Sequence, residues 1–378
     1  MNTAQIKRFA QQARNILKKG VYTRLLMHGY NPKTRQVETE IQEISGGVVI
    51  DGKLIRDPLY AKQWNSLKKA IRTHGADAVA EEAAYTWFNR LMAIRILAKN
   101  GYIAPQLEYM SDTFQTTMIV SNARRGFHEK MDSASQEYLE ELLQDDSRET
   151  ELFTLLICRY CRESELLNRL FGRINDYTEL LLPMDILAEN GFIHLLNSSD
   201  AISDEDYQQV ELIGWLYQFY ISEKKDEVFA SFKKNKKAEA EDIPAATQIF
   251  MPNWIVKYMV ENTVGQLWLD LHPRDALRDE MHYLVENSDA RSAPIIAEVA
   301  DIHLLDPAAG SGHILVEGFD LLYRMYRTEG YTAREAVESI LRQNLFGLDI
   351  DLRAVQLARF ALLLKAANYY PEILKTDI

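Results

Sequence analysis

Apolar residues recur every three to four positions along most of the first 240 residues of the chain. Segments with this spacing include "QWNSLKKAIRTHG", "AVAEEAAYTWFNRLMAIRILAKNG" and "TELFTLLICRYCRESELLNRLFG". Such spacing gathers apolar side chains on one face of a helix. The pairs Asn100-Gly101 and Asn190-Gly191 are helix stop signals. The pattern predicts a helical N-terminal domain over residues 1–240.

One segment of this region alternates apolar and polar residues instead. It is "QVETEIQEISGGVVIDGKLI", residues 36–55, and its Gly46-Gly47 and Asp51-Gly52 pairs are typical of tight turns. We expect a small β-hairpin there. Residues 233–243 are polar and charged, and we place the domain boundary near residue 240.

The pattern changes in residues 241–378. The run "IHLL" is typical of a short buried strand, and it is followed by a Gly-Ser-Gly turn and by "HILVEGFDLLYRMY", which has helical spacing. "TAREAVESILRQ" predicts a second helix opened by a capping box of Thr332 and Glu335. "NLFGLDI" predicts a second strand, and Asp351 is placed to cap a last helix. This β-α-β-α order indicates an open parallel sheet, so the expected fold class is a predominantly α-helical domain followed by the first part of a Rossmann-like α/β domain.

Composition and charge exclude several classes of protein. Apolar residues make up 47% and charged residues 26% of the 378 residues, as in ordinary soluble globular proteins. The N-terminus interleaves charged and apolar residues, unlike a signal peptide, and the sequence contains no apolar run of about 18 residues that could span a membrane. We therefore expect a cytoplasmic protein without membrane association. The net charge of −12 argues against a protein that coats nucleic acid over its whole surface.

The charge is unevenly distributed along the chain. Residues 1–35 hold eight basic residues and no acidic residue, "SFKKNKK" at 231–237 is also basic, and residues 129–151 are acidic. A solvated helix face accounts for any one such cluster more simply than a phosphate-binding site does. The N-terminal stretch is the strongest candidate for phosphate contacts, and its candidate DNA-binding residues are Lys7, Arg14, Lys18, Lys19 and Arg24.

Two cysteines, Cys158 and Cys161, form a Cys-x-x-Cys spacing. The surrounding residues have helical spacing, and no second Cys/His pair occurs at zinc-finger spacing. We interpret the pair as two thiols packed on a helix and predict no metal site.

The Gly-Ser-Gly turn lies where doubly wound folds bind nucleotide-like ligands. After Gly310 and Gly312 the next glycine is Gly318, so the three-glycine dinucleotide pattern is not met, and no Gly-Lys-Ser/Thr follows for a P-loop. A ligand with a ribose and a base but no phosphates remains. Asp306 is placed to face a cationic amino group of such a ligand, and Asp349 is placed to accept both ribose hydroxyls. S-adenosylmethionine contains these parts.

Three segments resemble the motifs of the amino-group DNA methyltransferases. "DPAAGSGHILVEGF" resembles motif I and "NLFGLDIDLRAVQLARFAL" resembles motif II. "ATQIFMPNWIVKYMV" resembles motif X, which precedes motif I in the gamma order used by N6-adenine methyltransferases. "NTAQIKRFAQQARN" and "EEAAYTWFNRLMAIRILAKNGYI" further resemble the start of the PglX methyltransferases of BREX phage-defence systems. The resemblance implies an S-adenosylmethionine-dependent, adenine-specific DNA methyltransferase.

The resemblance also assigns cofactor-binding roles. Motif I implies contacts with the methionine end of S-adenosylmethionine, motif II implies contacts with its ribose and adenine, and motif X implies closure over the cofactor. The implied residues are Asp306, Ala308, Gly310 and Gly312 in motif I, Asp349 and Ile350 in motif II, and Thr247, Phe250 and Pro252 in motif X. The two glycines would also suit a plain turn, but a plain turn does not need the preceding Asp-Pro-Ala-Ala, so we favour ligand contacts there. A core aromatic residue is the simpler interpretation of Phe250. His313 receives no catalytic role.

One motif of the family is missing from the chain. The amino-methyltransferases carry Asn, Asp or Ser followed by Pro-Pro and an aromatic residue, which hold the target amino group and stack on the flipped base. No Pro-Pro pair occurs here. We therefore expect residues 241–378 to be the N-terminal half of a methyltransferase domain in a longer, site-specific enzyme. No catalytic residue is assigned in this chain, and we expect no activity from this chain alone.

Two alternatives stay open because cofactor motifs do not report the substrate. One is a methyltransferase fragment that acts on RNA or protein, and the other is a non-catalytic interaction module with a vestigial cofactor turn. A downstream Asn-Pro-Pro-aromatic motif, or a cofactor titration, separates these from a restriction-modification-like DNA enzyme. The expected partners are double-stranded DNA, through the full-length enzyme, and other phage-defence proteins.

Overall fold

The computed structural model describes residues 1–44, 47–50, 52–55, 57, 59–111, 113–128, 131, 133–173, 176–233, 243–247, 251–285 and 296–376. The chain divides into two compact units, Met1–Gln208 and Gln209–Ile378. This division falls before the predicted boundary near residue 240, because the helix Glu211–Tyr220 packs against the helix Leu352–Tyr369 of the second unit.

The first unit is mostly helical, as its apolar spacing predicts. Its helices are α1 (Thr3–Met27), α2 (Tyr60–His74), α3 (Ala76–Lys99), α4 (Met118–Arg124), α5 (Ser133–Leu143), α6 (Glu149–Glu163), α7 (Glu165–Phe171), α8 (Phe192–Ser198) and α9 (Asp204–Tyr207).

The core of the first unit is built around α3. All side chains of α3 from Trp87 to Leu97 are buried, so this part of the helix is central rather than amphipathic. Helix α1 packs along α3 and buries Ala13 and Leu17 on its inner face.

The segment with alternating residues contributes to two small antiparallel sheets. Strands β1 (Tyr30–Asn31) and β2 (Gln36–Val37) form one pair, and β3 (Gln42–Ile44), β4 (Gly47–Ile50) and β5 (Lys53–Ile55) form a three-stranded sheet in that order. Of the predicted turn residues, Gly46 and Asp51 lie outside the described residues.

In its described residues, the second unit combines helices with a pair of parallel strands. Its helices are α10 (Glu211–Tyr220), α11 (Ser222–Phe232), α12 (Ile243–Thr247), α13 (Asn253–Val260), α14 (Gln266–Leu271), α15 (Leu277–Glu280), α16 (His313–Thr328), α17 (Ala333–Ser339) and α18 (Leu352–Tyr369). No helix in the described part of the chain is both long and apolar enough to cross a lipid bilayer.

Strands β6 (Leu304–Asp306) and β7 (Leu345–Gly347) are parallel, with Leu304 opposite Leu345 and Asp306 opposite Gly347. The connection between them runs through α16, α17 and a π-helical turn, Ile340–Asn344. The two predicted strands therefore pair in parallel, and the predicted helix lies between them in the chain. This arrangement places the carboxyl ends of both strands at the same edge of the sheet.

Two glycines let α16 approach this strand pair closely. A Cβ atom on Gly318 would overlap the side chain of Leu304, and one on Gly347 would lie 2.9 Å from Cδ1 of Leu315. The inner face of the sheet is therefore covered by α16. The outer face carries Leu305 and its cross-strand partner Phe346, which are 56% and 46% exposed.

Candidate functional site

The candidate site lies where β6 ends and α16 begins. Gly310 and Gly312 in this turn have φ angles of +54° and +83°, in the left-handed region that glycine favours. A Cβ atom on Gly312 would lie 3.0 Å from Cβ of Ala358 in α18, whereas one on Gly310 would meet no atom within 4 Å. The turn is therefore packed against the protein at Gly312 and open at Gly310.

Motif II meets this turn through the carboxylate of Asp349. The backbone N–H of Gly310 donates to Oδ2 of Asp349 at 2.8 Å, and the N–H of Asp351 donates to Oδ1 at 2.8 Å. Backbone bonds continue the strand pairing beside it, from Leu348 N–H to the carbonyl of Asp306 and from Ala309 N–H to the carbonyl of Leu348, both at 2.9 Å. Hydrogen bonds thus join the motif I turn to the motif II segment at the edge of the sheet where both strands end.

These two hydrogen bonds orient the Asp349 carboxylate and leave some of its acceptor positions available. An ionised carboxylate has about four acceptor positions, and two are occupied by backbone N–H groups. Each oxygen can still accept one hydroxyl from a ligand. The neighbouring Ile350 side chain is 76% exposed, so an apolar surface adjoins the acceptor.

Asp306 supplies a second carboxylate at the end of β6. It is only 7% exposed, and its Oδ1 accepts the N–H of Ala308 at 3.1 Å. Burial raises the pKa of Asp306, the Ala308 N–H opposes this, and the negative charge of Asp349 adds to the rise. Because the two carboxylates repel each other, a cationic group bound between them would be stabilised.

His313 opens α16 next to the turn. Burial lowers the pKa of this imidazole below its usual 6.5, and the charge of Glu211 only partly offsets the effect. The ring is therefore neutral at pH 7.

The motif X residues lie on other elements. The hydroxyl of Thr247 donates to the carbonyl of Ile243 at 2.8 Å, within α12. Pro252 immediately precedes α13, which packs against α16. Phe250 lies outside the described residues. The structure thus brings together the motif I and motif II residues, while Thr247 lies in α12 and Pro252 precedes α13.

Three of the five predicted phosphate-binding residues, Arg14, Lys18 and Arg24, form ion pairs or hydrogen bonds within the first unit. Arg14 is 3% exposed and binds Glu81 of α3 through two hydrogen bonds of 2.8 and 2.9 Å, and Nζ of Lys18 lies 2.8 Å from the same carboxylate. Nε of Arg24 donates to the carbonyl of Leu180 at 3.1 Å.

The pKa shifts of Glu81 and Arg24 agree with the burial and pairing of these side chains. Burial alone would raise the pKa of Glu81, but the hydrogen bonds from Arg14 and Lys18 outweigh it and lower the pKa. Burial lowers the pKa of Arg24. Of the five predicted phosphate-binding residues, Lys7 and Lys19 are the exposed ones.

The two cysteines lie on α6, as predicted, and form no disulfide. Burial raises the pKa of Cys161 to about 12 and raises that of Cys158 well above its ordinary value. Both thiols are therefore protonated at neutral pH. The described residues contain no cluster of three or more His, Cys, Asp and Glu side chains arranged to hold a metal ion.

Sequence patterns did not identify Asn344, which is fully buried immediately before β7. Its Nδ2 donates to the carbonyls of Val299 and Ile302 at 2.9 and 2.7 Å, and its Oδ1 accepts the hydroxyl of Tyr326 at 3.0 Å. This side chain fixes the segments that enter β6 and β7. A glycine within a strand pattern indicates close approach of another segment, so Gly347 was the sequence signal for the close packing of α16 against β7.

Comparison with known proteins gives the following. No family model matches the sequence. The chain is 38% identical over 378 residues to the adenine-specific methyltransferase BrxX of Escherichia coli O9:H4 (strain HS), covering 97% of this chain and 31% of that protein. It is 35% identical over 408 residues to the adenine-specific methyltransferase PglX of Lacticaseibacillus casei (strain Zhang), covering 97% of this chain and 32% of that protein. The chain therefore spans about a third of the length of these curated relatives. Over 97% of its length, the chain is therefore homologous to part of the adenine-specific methyltransferases BrxX and PglX.

Proposed function

We propose that this chain is the cofactor-binding part of an S-adenosylmethionine-dependent, adenine-specific DNA methyltransferase of a phage-defence system. In this proposal residues 241–378 comprise motif X and the first part of a Rossmann-like methyltransferase domain. The names of the two relatives support the adenine-specific reaction over an RNA or protein substrate. The order of strand, glycine turn, helix and parallel strand supports the fold.

One observation carries the proposal: the N–H of Gly310 donates to Asp349 at 2.8 Å. This bond joins the turn of motif I to the acid of motif II, although the two residues are 39 positions apart in the chain. A turn that served only to reverse the chain would not require an acid at the end of the neighbouring strand.

The residues present fit S-adenosylmethionine. The open side of Gly310 admits a ligand against backbone, and Asp306 and Asp349 favour a cationic amino group beside it. The remaining acceptor positions of Asp349 suit two vicinal hydroxyls, and the exposed Ile350 suits a flat base. Ala308 and Gly312 shape the turn, and Thr247, Phe250 and Pro252 remain proposed contacts of motif X.

The cofactor, when bound, supplies a methyl group activated by a sulfonium. The chain's own contribution is to bind and orient that group, which is the main catalytic requirement when the leaving group is already good. The target base would be held by a part of the full-length enzyme that contains a Pro-Pro-aromatic motif. Double-stranded DNA, other phage-defence proteins and a cytoplasmic location are further parts of the proposal.

Calorimetric titration with S-adenosylmethionine tests the cofactor assignment. Asp349→Ala should weaken binding by about tenfold or more, because it removes a charged acceptor of hydroxyl groups. Asp279→Ala is the matched control, since it removes the same charge from an exposed position in α15. Equal affinity of wild type and Asp349→Ala would contradict the ribose assignment.

We also propose that residues 1–378 alone do not methylate DNA, because no Pro-Pro-aromatic motif is present to hold the target nitrogen. The assay is incorporation of labelled methyl groups into duplex DNA, with the full-length enzyme as positive control. Clear turnover by this chain would reveal a catalytic motif of a different kind within it.

A further inference from the structure

Helix α10 contacts the candidate site through a hydrogen bond of Tyr217. The hydroxyl of Tyr217 donates to Oδ2 of Asp351 at 3.2 Å, and both side chains are buried. Helix α10 also packs against α18, the helix that follows Asp351. Tyr217 lies outside the segments that resemble motifs I, II and X.

Asp351 has a function as a helix cap that does not need Tyr217. Its Oδ1 accepts the N–H of Arg353 at 3.0 Å, and both of its oxygens accept from the Arg353 side chain, at 2.9 and 3.1 Å. Arg353 alone therefore supplies both the N–H that Asp351 caps and the positive charge that balances its carboxylate. The bond from Tyr217 adds a constraint from a helix more than 100 positions earlier in the chain.

The constraint is transmitted to the site through the backbone of Asp351. Its N–H donates to Oδ1 of Asp349, whose other oxygen accepts the N–H of Gly310. A continuous series of hydrogen bonds thus runs from Tyr217 through Asp351 and Asp349 to the glycine turn. If the Asp351 backbone rotated, the Asp349 carboxylate would lose one of the two bonds that orient it.

We infer that Tyr217 is a positioning residue for the cofactor site and that α10 is a structural part of that site. Its hydroxyl holds Asp351 so that the Asp349 carboxylate is oriented before a ligand arrives. Residues that orient the ligands of a metal site change its affinity by about 10- to 100-fold without touching the metal, and we expect an effect of about tenfold here. The inference depends on the proposed function for the identity of the ligand, but the orientation of Asp349 can be measured without one.

The experiment compares Tyr217→Phe with Tyr326→Phe. Both variants remove one buried hydroxyl from the second unit, and Tyr326 bonds to Asn344 rather than to Asp351. Hydrogen exchange of the Gly310 and Asp351 amides, without ligand, should be several-fold faster in Tyr217→Phe than in Tyr326→Phe. Affinity for S-adenosylmethionine should fall about tenfold in Tyr217→Phe only.

A second variant keeps the test decisive if Tyr217→Phe folds poorly. Asp351→Ser retains a cap for α18 but is too short to reach Tyr217, so it should accelerate the same two amides. In the double variant the two amides should exchange no faster than in Asp351→Ser alone, because both substitutions break the same hydrogen bond between positions 217 and 351. Unchanged exchange in Tyr217→Phe, or equal effects of Tyr217→Phe and Tyr326→Phe, would overturn the inference. Absence of cofactor binding by the wild type, with the exchange pattern intact, would instead overturn the proposed function alone.

Discussion

A substitution at Gly310 should affect ligand affinity much more than it affects the stability of the fold. A methyl group added there by Gly310→Ala would meet no protein atom within 4 Å, so the packing of the turn is not disturbed. The backbone has a φ of +54°, which an alanine adopts at a cost of about 1 kcal/mol. The N–H that binds Asp349 is retained. We therefore expect a small loss of stability.

The effect on binding should be larger because the methyl group would occupy the open side of the turn. Where a ligand packs against that backbone, an added methyl group costs about 1–3 kcal/mol. Since about 1.4 kcal/mol is a factor of ten, the affinity for S-adenosylmethionine should fall by about five-fold to more than a hundredfold.

Gly330→Ala provides the matched control. Gly330 has a φ of +89° and equally open surroundings, and it follows α16 at the helix end that is distant from the turn. It should lose a similar amount of stability and bind the cofactor as the wild type does. Urea unfolding and calorimetric titration measure the two quantities. If Gly310→Ala binds as tightly as Gly330→Ala, the cofactor does not contact the Gly310 backbone and the reasoning fails.

Three further variants test other parts of the molecule. Asn344→Leu should destabilise the second unit by about 2–4 kcal/mol, because it leaves buried polar groups without their partner, and unchanged hydrogen exchange in β6 and β7 would contradict this. Glu81→Gln should destabilise the first unit by about 3 kcal/mol at pH 7, because the buried Arg14 loses its carboxylate. Since the pKa of Glu81 is lowered in the folded state, its contribution is present above the unfolded pKa and is lost in acid, so urea unfolding should show wild type and variant converging as the pH falls below about 4. In the full-length enzyme, replacing the exposed Lys7 and Lys19 with Gln should lower the slope of log DNA affinity against log salt by about 0.9 for each phosphate that is no longer neutralised, whereas an unchanged slope would make them ordinary solvated side chains.

The sequence was most informative where a structure depends on neighbours along the chain. The capping box of α17 is present, with Thr332 N–H donating to Glu335 at 2.9 Å and Glu335 N–H donating to the Thr332 hydroxyl at 3.3 Å. Asp351 caps α18 as predicted. The strand, glycine turn and helix of motif I also follow their local pattern, because turn chemistry and apolar spacing act over a few residues.

Pairing between distant residues could not be predicted in the same way. The N-terminal stretch lacks acidic residues, which favoured phosphate binding, yet Glu81 reaches Arg14 and Lys18 from α3. A local charge count does not include partners that folding supplies. The bond from Tyr217 to Asp351 was unpredictable for the same reason, and so was the packing of α10 against the later helix α18.

The outer face of the strand pair also has a consequence for how the protein behaves in solution. Leu305 and Phe346 present apolar surface to water, and such surfaces adhere to one another unless the molecules repel. At neutral pH the repulsion comes from a net charge of −12, which disappears near the isoelectric point of about 5.3. Salt acts in the same direction, because it shortens the range of the repulsion from about 10 Å at 0.1 M to about 3 Å at 1 M. Light scattering should therefore detect self-association of this chain when the pH approaches 5.3 or the ionic strength approaches 1 M, and dilute neutral buffers are the conditions in which it should remain dispersed.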